Sequence, residues 1–210
     1  MAAQARPRRW QTACRALRKA DPRLASAMDR VGPCRLERSE HASTFEALAR
    51  SITYQQLSGK AAGTIYGRFV AKYGDGEVPD AERVARAQIR GLRSVGLSRS
   101  KGDYIRGLAR SQCDGRLPDR TQLAKLDDAA AIDRLTEEKG VGVWTVQMLL
   151  MFWLERPDVL APNDLGLQKG IQIVDGLRDL PTPAQVVERG EVWQPWRSVA
   201  SWYLWRITEL

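Results

Sequence analysis

Apolar residues recur three and four positions apart along almost the whole of this chain, and strand-like alternation is nearly absent. That spacing gathers side chains on one face of a helix, so it commits the chain to helices packed on helices. Ser43 and Glu46 have capping-box spacing, and Phe45, Leu48, Ala49 and Ile52 follow as one stripe. Gln56 would continue that stripe with an amide. The helix is therefore expected to end between Tyr54 and Leu57, with Ser58 capping a second that carries Ala62, Ile65, Phe69 and Val70 as far as Gly74. Short helices are expected at 81–87 and 89–94, with longer ones at 99–111, 129–138 and 143–154. A polar connection through Gly115 and Pro118 is expected between the last two and the rest. Further helices should begin near Asp164, near Pro183 and at Pro195. The fold class is all-α.

At 210 residues the chain suffices for one compact domain of two lobes, or two very small domains at most. No apolar run is long enough to cross a bilayer. Arg6, Arg8, Arg9, Arg15 and Arg18 make the N-terminus basic without a signal-peptide core, and Asp21 and Pro22 interrupt the pattern that a transit peptide would need. A cytoplasmic location is expected. The net charge of +8 favours a polyanionic partner. Cys14, Cys34 and Cys113 stand far apart with no C-x-x-C pair, which argues against zinc ribbons and iron–sulfur clusters and for reduced thiols. His41 is the single histidine. Chemistry would fall to carboxylates, lysines or hydroxyls, with no metal held by side chains.

The segment from Leu135 to Val146, LTEEKGVGVWTV, spells helix, tight turn, helix. Gly140 and Gly142 can adopt backbone conformations closed to other residues and admit a phosphate close to the main chain. The next helix would present its N–H groups there, an anion site indifferent to base sequence. Val141 can tuck between the helices, and Lys139 would face the phosphate side. A plain helix–helix connection ending in glycine has the same local pattern.

This segment resembles the helix-hairpin-helix of the HhH-GPD base-excision DNA glycosylases, and its Gly-Val-Gly-x-Trp-Thr form is similar to the AlkA-type 3-methyladenine glycosylase II branch. Phe45–Ile52 with Gln55-Gln56-Leu57-Ser58, Leu92–Ser98 followed by Lys101 and Tyr104, and Trp193–Ser198 are similar to further family stretches in the same order. The resemblance runs from about Thr44 to the C-terminus. It implies two helical lobes with a cleft between them, the hairpin at about 129–154, and residues 1–43 as a helical segment packing on one lobe, without a separate N-terminal α/β domain. It also implies double-stranded DNA containing alkylated bases as partner, with a monomer sufficient. No cofactor is implied beyond a monovalent cation that hairpin carbonyls could hold.

Asp164, in Pro162-Asn163-Asp164, has the position of a helix N-cap and also that of the family's catalytic aspartate. A carboxylate suits removal of a purine, because base departure leaves positive charge on the sugar. It could also position or deprotonate water. Relatives that form a Schiff base carry lysine two positions after the second hairpin glycine, and Trp144 stands there instead, so a monofunctional enzyme is expected. The resemblance puts Trp144, Met148 and Trp205 in the pocket for an extruded base, whose positive charge would favour aromatic faces. Met148 replaces an aromatic, which would make the pocket softer. Both tryptophans could equally serve packing, Trp205 lying opposite the Trp196, Ala200, Tyr203 and Ile207 stripe. Gln56 is favoured as the wedge that fills the emptied stack, with Leu57 beside it. A DNA-binding module without activity, and a glycosylase/lyase with a displaced lysine, are the alternatives.

Overall fold

The computed structural model describes residues 9–74 and 76–210. Arg6, Arg8 and the side chain of Arg9 from the basic N-terminus lie outside the described residues. Among those described, the sole β pairing is an isolated Gly74–Pro79 bridge, so the all-α expectation holds.

The helices are α1 (Arg9–Ala20), α2 (Pro22–Val31), α3 (Thr44–Tyr54), α4 (Gly59–Tyr73), α5 (Ala81–Ala85), α6 (Ile89–Ser94), α7 (Arg99–Cys113) and α8 (Arg120–Ala124). They continue with α9 (Asp128–Thr136), α10 (Val143–Met148), α11 (Leu165–Asp175), α12 (Pro183–Gly190) and α13 (Arg197–Ile207). Among the described residues, 9–39 join Leu150–Leu210 in one compact unit, and those of Glu40–Leu149 form the other.

In the first unit α1 and α2 pack on each other and on α13, and α2 also meets α11. Leu17, Leu24, Met28, Leu167, Tyr203 and Leu204 are buried at their junction. Asp21 and Pro22 interrupt the N-terminal pattern as expected, α1 ending at Ala20, and they also start the next helix. Asp21 caps α2 through the N–H groups of Arg23 and Leu24, and Pro22 takes the first turn, where its missing N–H costs nothing. The buried Asp21 carboxylate also accepts from the Trp193 indole at 2.7 Å and pairs with Arg189 at 2.5 Å.

In the second unit α3 packs on α4 and α7, while α5 and α6 cover α7. The Ser43 hydroxyl accepts from the Glu46 N–H as its spacing foretold, but the Glu46 carboxylate reaches past Ser43 to the Ala42 N–H at 2.6 Å. Phe45, Leu48 and Ile52 are buried, and α3 ends at Tyr54 before Ser58 caps α4.

Three expectations need correction. The apolar helix expected over 143–154 is α-helical only through Met148 and continues as a π-helix over Leu149–Trp153, whose wider turn shifts every later side chain around the axis. The polar connection after Pro118 contains α8, started by a capping box between Asp119 and Gln122. The last helix starts at Arg197, since Pro195 and Trp196 lie outside it after a 3-10 turn at Glu191–Trp193.

Candidate active site

Asp164 lies at the start of α11, where its own N–H bonds the Ala161 carbonyl at 3.0 Å. Its side chain is an N-cap: Oδ1 accepts the Leu167 N–H at 2.7 Å. The same oxygen accepts the Trp205 indole N–H at 2.8 Å, from α13. Trp205 in turn stacks on Phe152, with ring centroids 5.9 Å apart and 24° between planes. The aromatic on the far side of the last helix therefore has its partners inside its own unit. Two donors from different helices fix the direction of the carboxylate before any ligand arrives, the arrangement that electrostatic stabilisation of a developing charge requires.

Gly166 makes this approach possible. A Cβ there would stand 2.9 Å from Trp205 Cδ1 and 3.1 Å from Asp164 Oδ1, so the absence of a side chain lets the indole reach the carboxylate. Gly166 and Phe152 carried no role in the sequence. For Gly166 the signal would have been the Asp-x-Gly spacing, which has meaning only once Trp205 is known to lie over it.

In the second unit α9 and α10 are joined through Gly140, Val141 and Gly142. Gly140 has φ of 88°, in the left-handed region, and a Cβ on it would meet the ring of Tyr104. Val141 is buried between the helices as expected. Gly142 has extended backbone with nothing near its missing side chain. Lys139 is exposed just before the turn. The Gln55 side-chain amide donates to the Gly140 carbonyl at 3.1 Å, fastening the hairpin to the end of α3. On α10, Trp144 is 46% exposed, and Met148, one helical turn on, is half-buried.

The turn between α3 and α4 presents both wedge candidates at the surface. Gln56 is held at φ of 57°, unusual for a residue other than glycine, and the Leu57 side chain is exposed. Lys101 holds this turn from below. Its ammonium donates to the carbonyls of Thr53 at 3.0 Å and Gln55 at 2.6 Å, and burial lowers its pKa from the ordinary lysine value. Lys101 and Tyr104 stood out in the sequence only as part of a resembling stretch. Their geometry makes them supports of the turn and of the hairpin. Among the described residues, no three His, Cys, Asp or Glu side chains converge as metal ligands, and no helix is long and apolar enough to cross a membrane.

The model of the HhH-GPD superfamily of base excision DNA repair proteins matches residues 49–195. The chain belongs to this superfamily. Among HhH-GPD relatives, the DNA-3-methyladenine glycosylase 1 of Schizosaccharomyces pombe is 35% identical over 181 residues, covering 86% of this chain and 79% of that protein. A solved structure of the S. pombe 3-methyladenine DNA glycosylase in complex with abasic DNA superposes with a TM-score of 0.87 at 33% identity, covering 95% of this chain and 97% of that one. The DNA-3-methyladenine glycosidase of Bacillus halodurans gives 0.82 at 34% identity, covering 92% and 87%. The span matched by the HhH-GPD model contains the turn at Gln56 and Leu57, the hairpin and Asp164, whereas Trp205 lies beyond it.

Proposed function

We propose that this chain is a monofunctional DNA glycosylase. It hydrolyses the N-glycosidic bond of alkylated purines, 3-methyladenine and 7-methylguanine foremost, after their extrusion from duplex DNA. The observation that carries this reading is the Asp164 carboxylate, fixed by the Leu167 N–H and the Trp205 indole in a chain of this superfamily. As the purine leaves, the sugar gains positive charge, and a carboxylate already held in place stabilises it without reorganising. The same carboxylate aligns the water that attacks the sugar and takes its proton. Trp144 occupies the position where a Schiff-base lysine would stand, and Lys139 lies on the other side of the glycines, which supports water as nucleophile.

Trp144, Met148 and Trp205 recognise the extruded base, whose positive charge favours the electron-rich aromatic faces and the soft thioether. Lys139 and the main chain from Gly140 to Gly142 hold a DNA phosphate, a contact that positions the duplex without reading its sequence. Gln56, with Leu57 adjacent, fills the gap in the stack. A monovalent cation at the hairpin would take main-chain oxygens, sharing the Gly140 carbonyl with the Gln55 amide, and no step of the reaction runs through it. The chain acts as a monomer in the cytoplasm.

The test is incubation with methylated duplex DNA. Release of free methylpurine, with strands intact until alkali and no borohydride-trapped adduct, is expected. Nicking before alkali would replace this reading with a glycosylase/lyase, and binding without release would replace it with a DNA-binding module.

A further inference from the structure

The first unit holds a cavity of about 470 Å³ to which glycosidic bond cleavage assigns no task. Its walls come from α1, the end of α2 and the segment after it, and α13. Cys14 and Cys34 both line it, with Tyr203, Arg15 and Arg18. The Cys14 sulfur lies 3.5 Å from the Tyr203 hydroxyl. All three cysteines of the chain are free thiols, and the third, Cys113, is exposed in the other unit.

The two cavity thiols are not equivalent. The Cys34 thiol beside Cys14, the Tyr203 hydroxyl and the charge of Arg18 outweigh burial and draw Cys14 below the ordinary thiol value. Arg18 shares that charge with Asp29, its ion-pair partner at 2.6 Å, so the neighbouring thiol remains the larger influence. Cys34 is pushed up by the same neighbour and by burial. Cys113 is also raised, by desolvation and by Glu82 and Asp114. A thiolate held against a protonated thiol is the arrangement in which the first attacks and the second resolves.

We infer that Cys14 and Cys34 form a peroxide-responsive pair, in which Cys14 attacks a hydroperoxide admitted to the cavity and Cys34 closes the resulting sulfenic acid to a disulfide. In the first step the Cys14 thiolate attacks the terminal peroxide oxygen. The O–O bond breaks, Cys14 becomes the sulfenic acid, and the alcohol or water leaves after taking a proton. In the second step the Cys34 sulfur attacks that of Cys14, expelling hydroxide that leaves as water with the Cys34 proton. The peroxide is reduced by two electrons and the two thiols are oxidised to one disulfide. The cross-link joins α1 to the segment after α2 and removes the anion that the Tyr203 hydroxyl faces.

The reduced full chain is treated with one equivalent of hydrogen peroxide near neutral pH, then followed by intact mass and peptide mapping. The expected product has lost two hydrogens, carries the Cys14–Cys34 cross-link, keeps Cys113 open to alkylation, and is restored by a thiol reductant. Cys34→Ser should stop at a dimedone-trappable sulfenic acid on Cys14, and Cys14→Ser should leave Cys34 reduced. Without peroxide, iodoacetamide should alkylate Cys14 at least about fivefold faster than Cys113 near neutral pH, the gain in thiolate fraction exceeding the loss of intrinsic nucleophilicity. Oxidation or alkylation of Cys113 ahead of Cys14, or sulfenic acid persisting on Cys14 with Cys34 present, would overturn the inference.

Discussion

The Trp205 indole N–H donates to Asp164 Oδ1 across 2.8 Å, joining α13 to the start of α11. The carboxylate is thereby held from two directions, by a helix N–H that any N-cap aspartate would find and by an indole that only this tertiary arrangement supplies. A residue placed in the sequence as a base-contacting aromatic is also a positioning group for the proposed catalytic carboxylate.

Trp205→Phe keeps a ring to stack on Phe152 and removes the N–H. Single-turnover release of methylpurine should fall by about 10- to 100-fold, the range in which losing one fixed donor is felt. Duplex binding should stay within about twofold of the parent, since no phosphate contact is touched. Unchanged release would assign the indole to packing alone.

Gly166→Ala places a methyl group 2.9 Å from Trp205 Cδ1 and 3.1 Å from Asp164 Oδ1. Alanine in a helix gains up to about 1 kcal/mol over glycine, which offsets part of the crowding. Stability by thermal melting should therefore change little while release falls at least about tenfold, because the indole must move off the carboxylate. Equal losses of stability and activity would contradict this.

The two hairpin glycines should answer differently to the same change. Gly140→Ala meets both a φ of 88° and the Tyr104 ring, so it should cost about 1–3 kcal/mol in denaturant unfolding and weaken DNA binding. Gly142→Ala enters open space on extended backbone and should leave stability within about 0.5 kcal/mol. Matching losses at the two positions would show that the turn is not held as described.

Lys101→Met removes the donor to the Thr53 and Gln55 carbonyls while keeping the length of the side chain. Base extrusion, followed by fluorescence of 2-aminopurine beside the lesion, should weaken as it does in Gln56→Ala, and the two changes together should add little because both act on one turn. Leu57→Ala should have the smaller effect. The opposite order would make Leu57 the wedge.

Local chemistry explains what the sequence revealed. Ser43, Ser58 and Asp164 announce helix starts because an N-cap needs only its own side chain and an N–H three residues on, and each caps as read. The hairpin was visible in Gly140 and Gly142 for the same reason. Asp21 and Pro22 do interrupt the N-terminal pattern, since α1 ends at Ala20, and the same acid before proline also begins α2. Asp119 and Gln122 have the same local capping-box spacing at the start of α8. The contacts that shape the candidate site had no such signal. Trp205 meets Asp164, Lys101 meets Gln55, and Cys14 meets Tyr203 only after remote segments pack, and no periodicity encodes those encounters. The π-helical turn after Met148 was hidden too, because an apolar run has the same composition in either helix.

The most direct test of the central claim is single-turnover release of 3-methyladenine by Asp164→Asn beside the parent protein. Asparagine keeps an oxygen to accept from both Leu167 and Trp205, so the fold and the geometry are retained and only the charge is lost. Release should fall by at least about 100-fold with duplex binding preserved, as expected when the group that stabilises the transition-state charge is neutralised. Release at the parent rate by a folded, DNA-binding variant would contradict the assignment of Asp164 as the catalytic carboxylate.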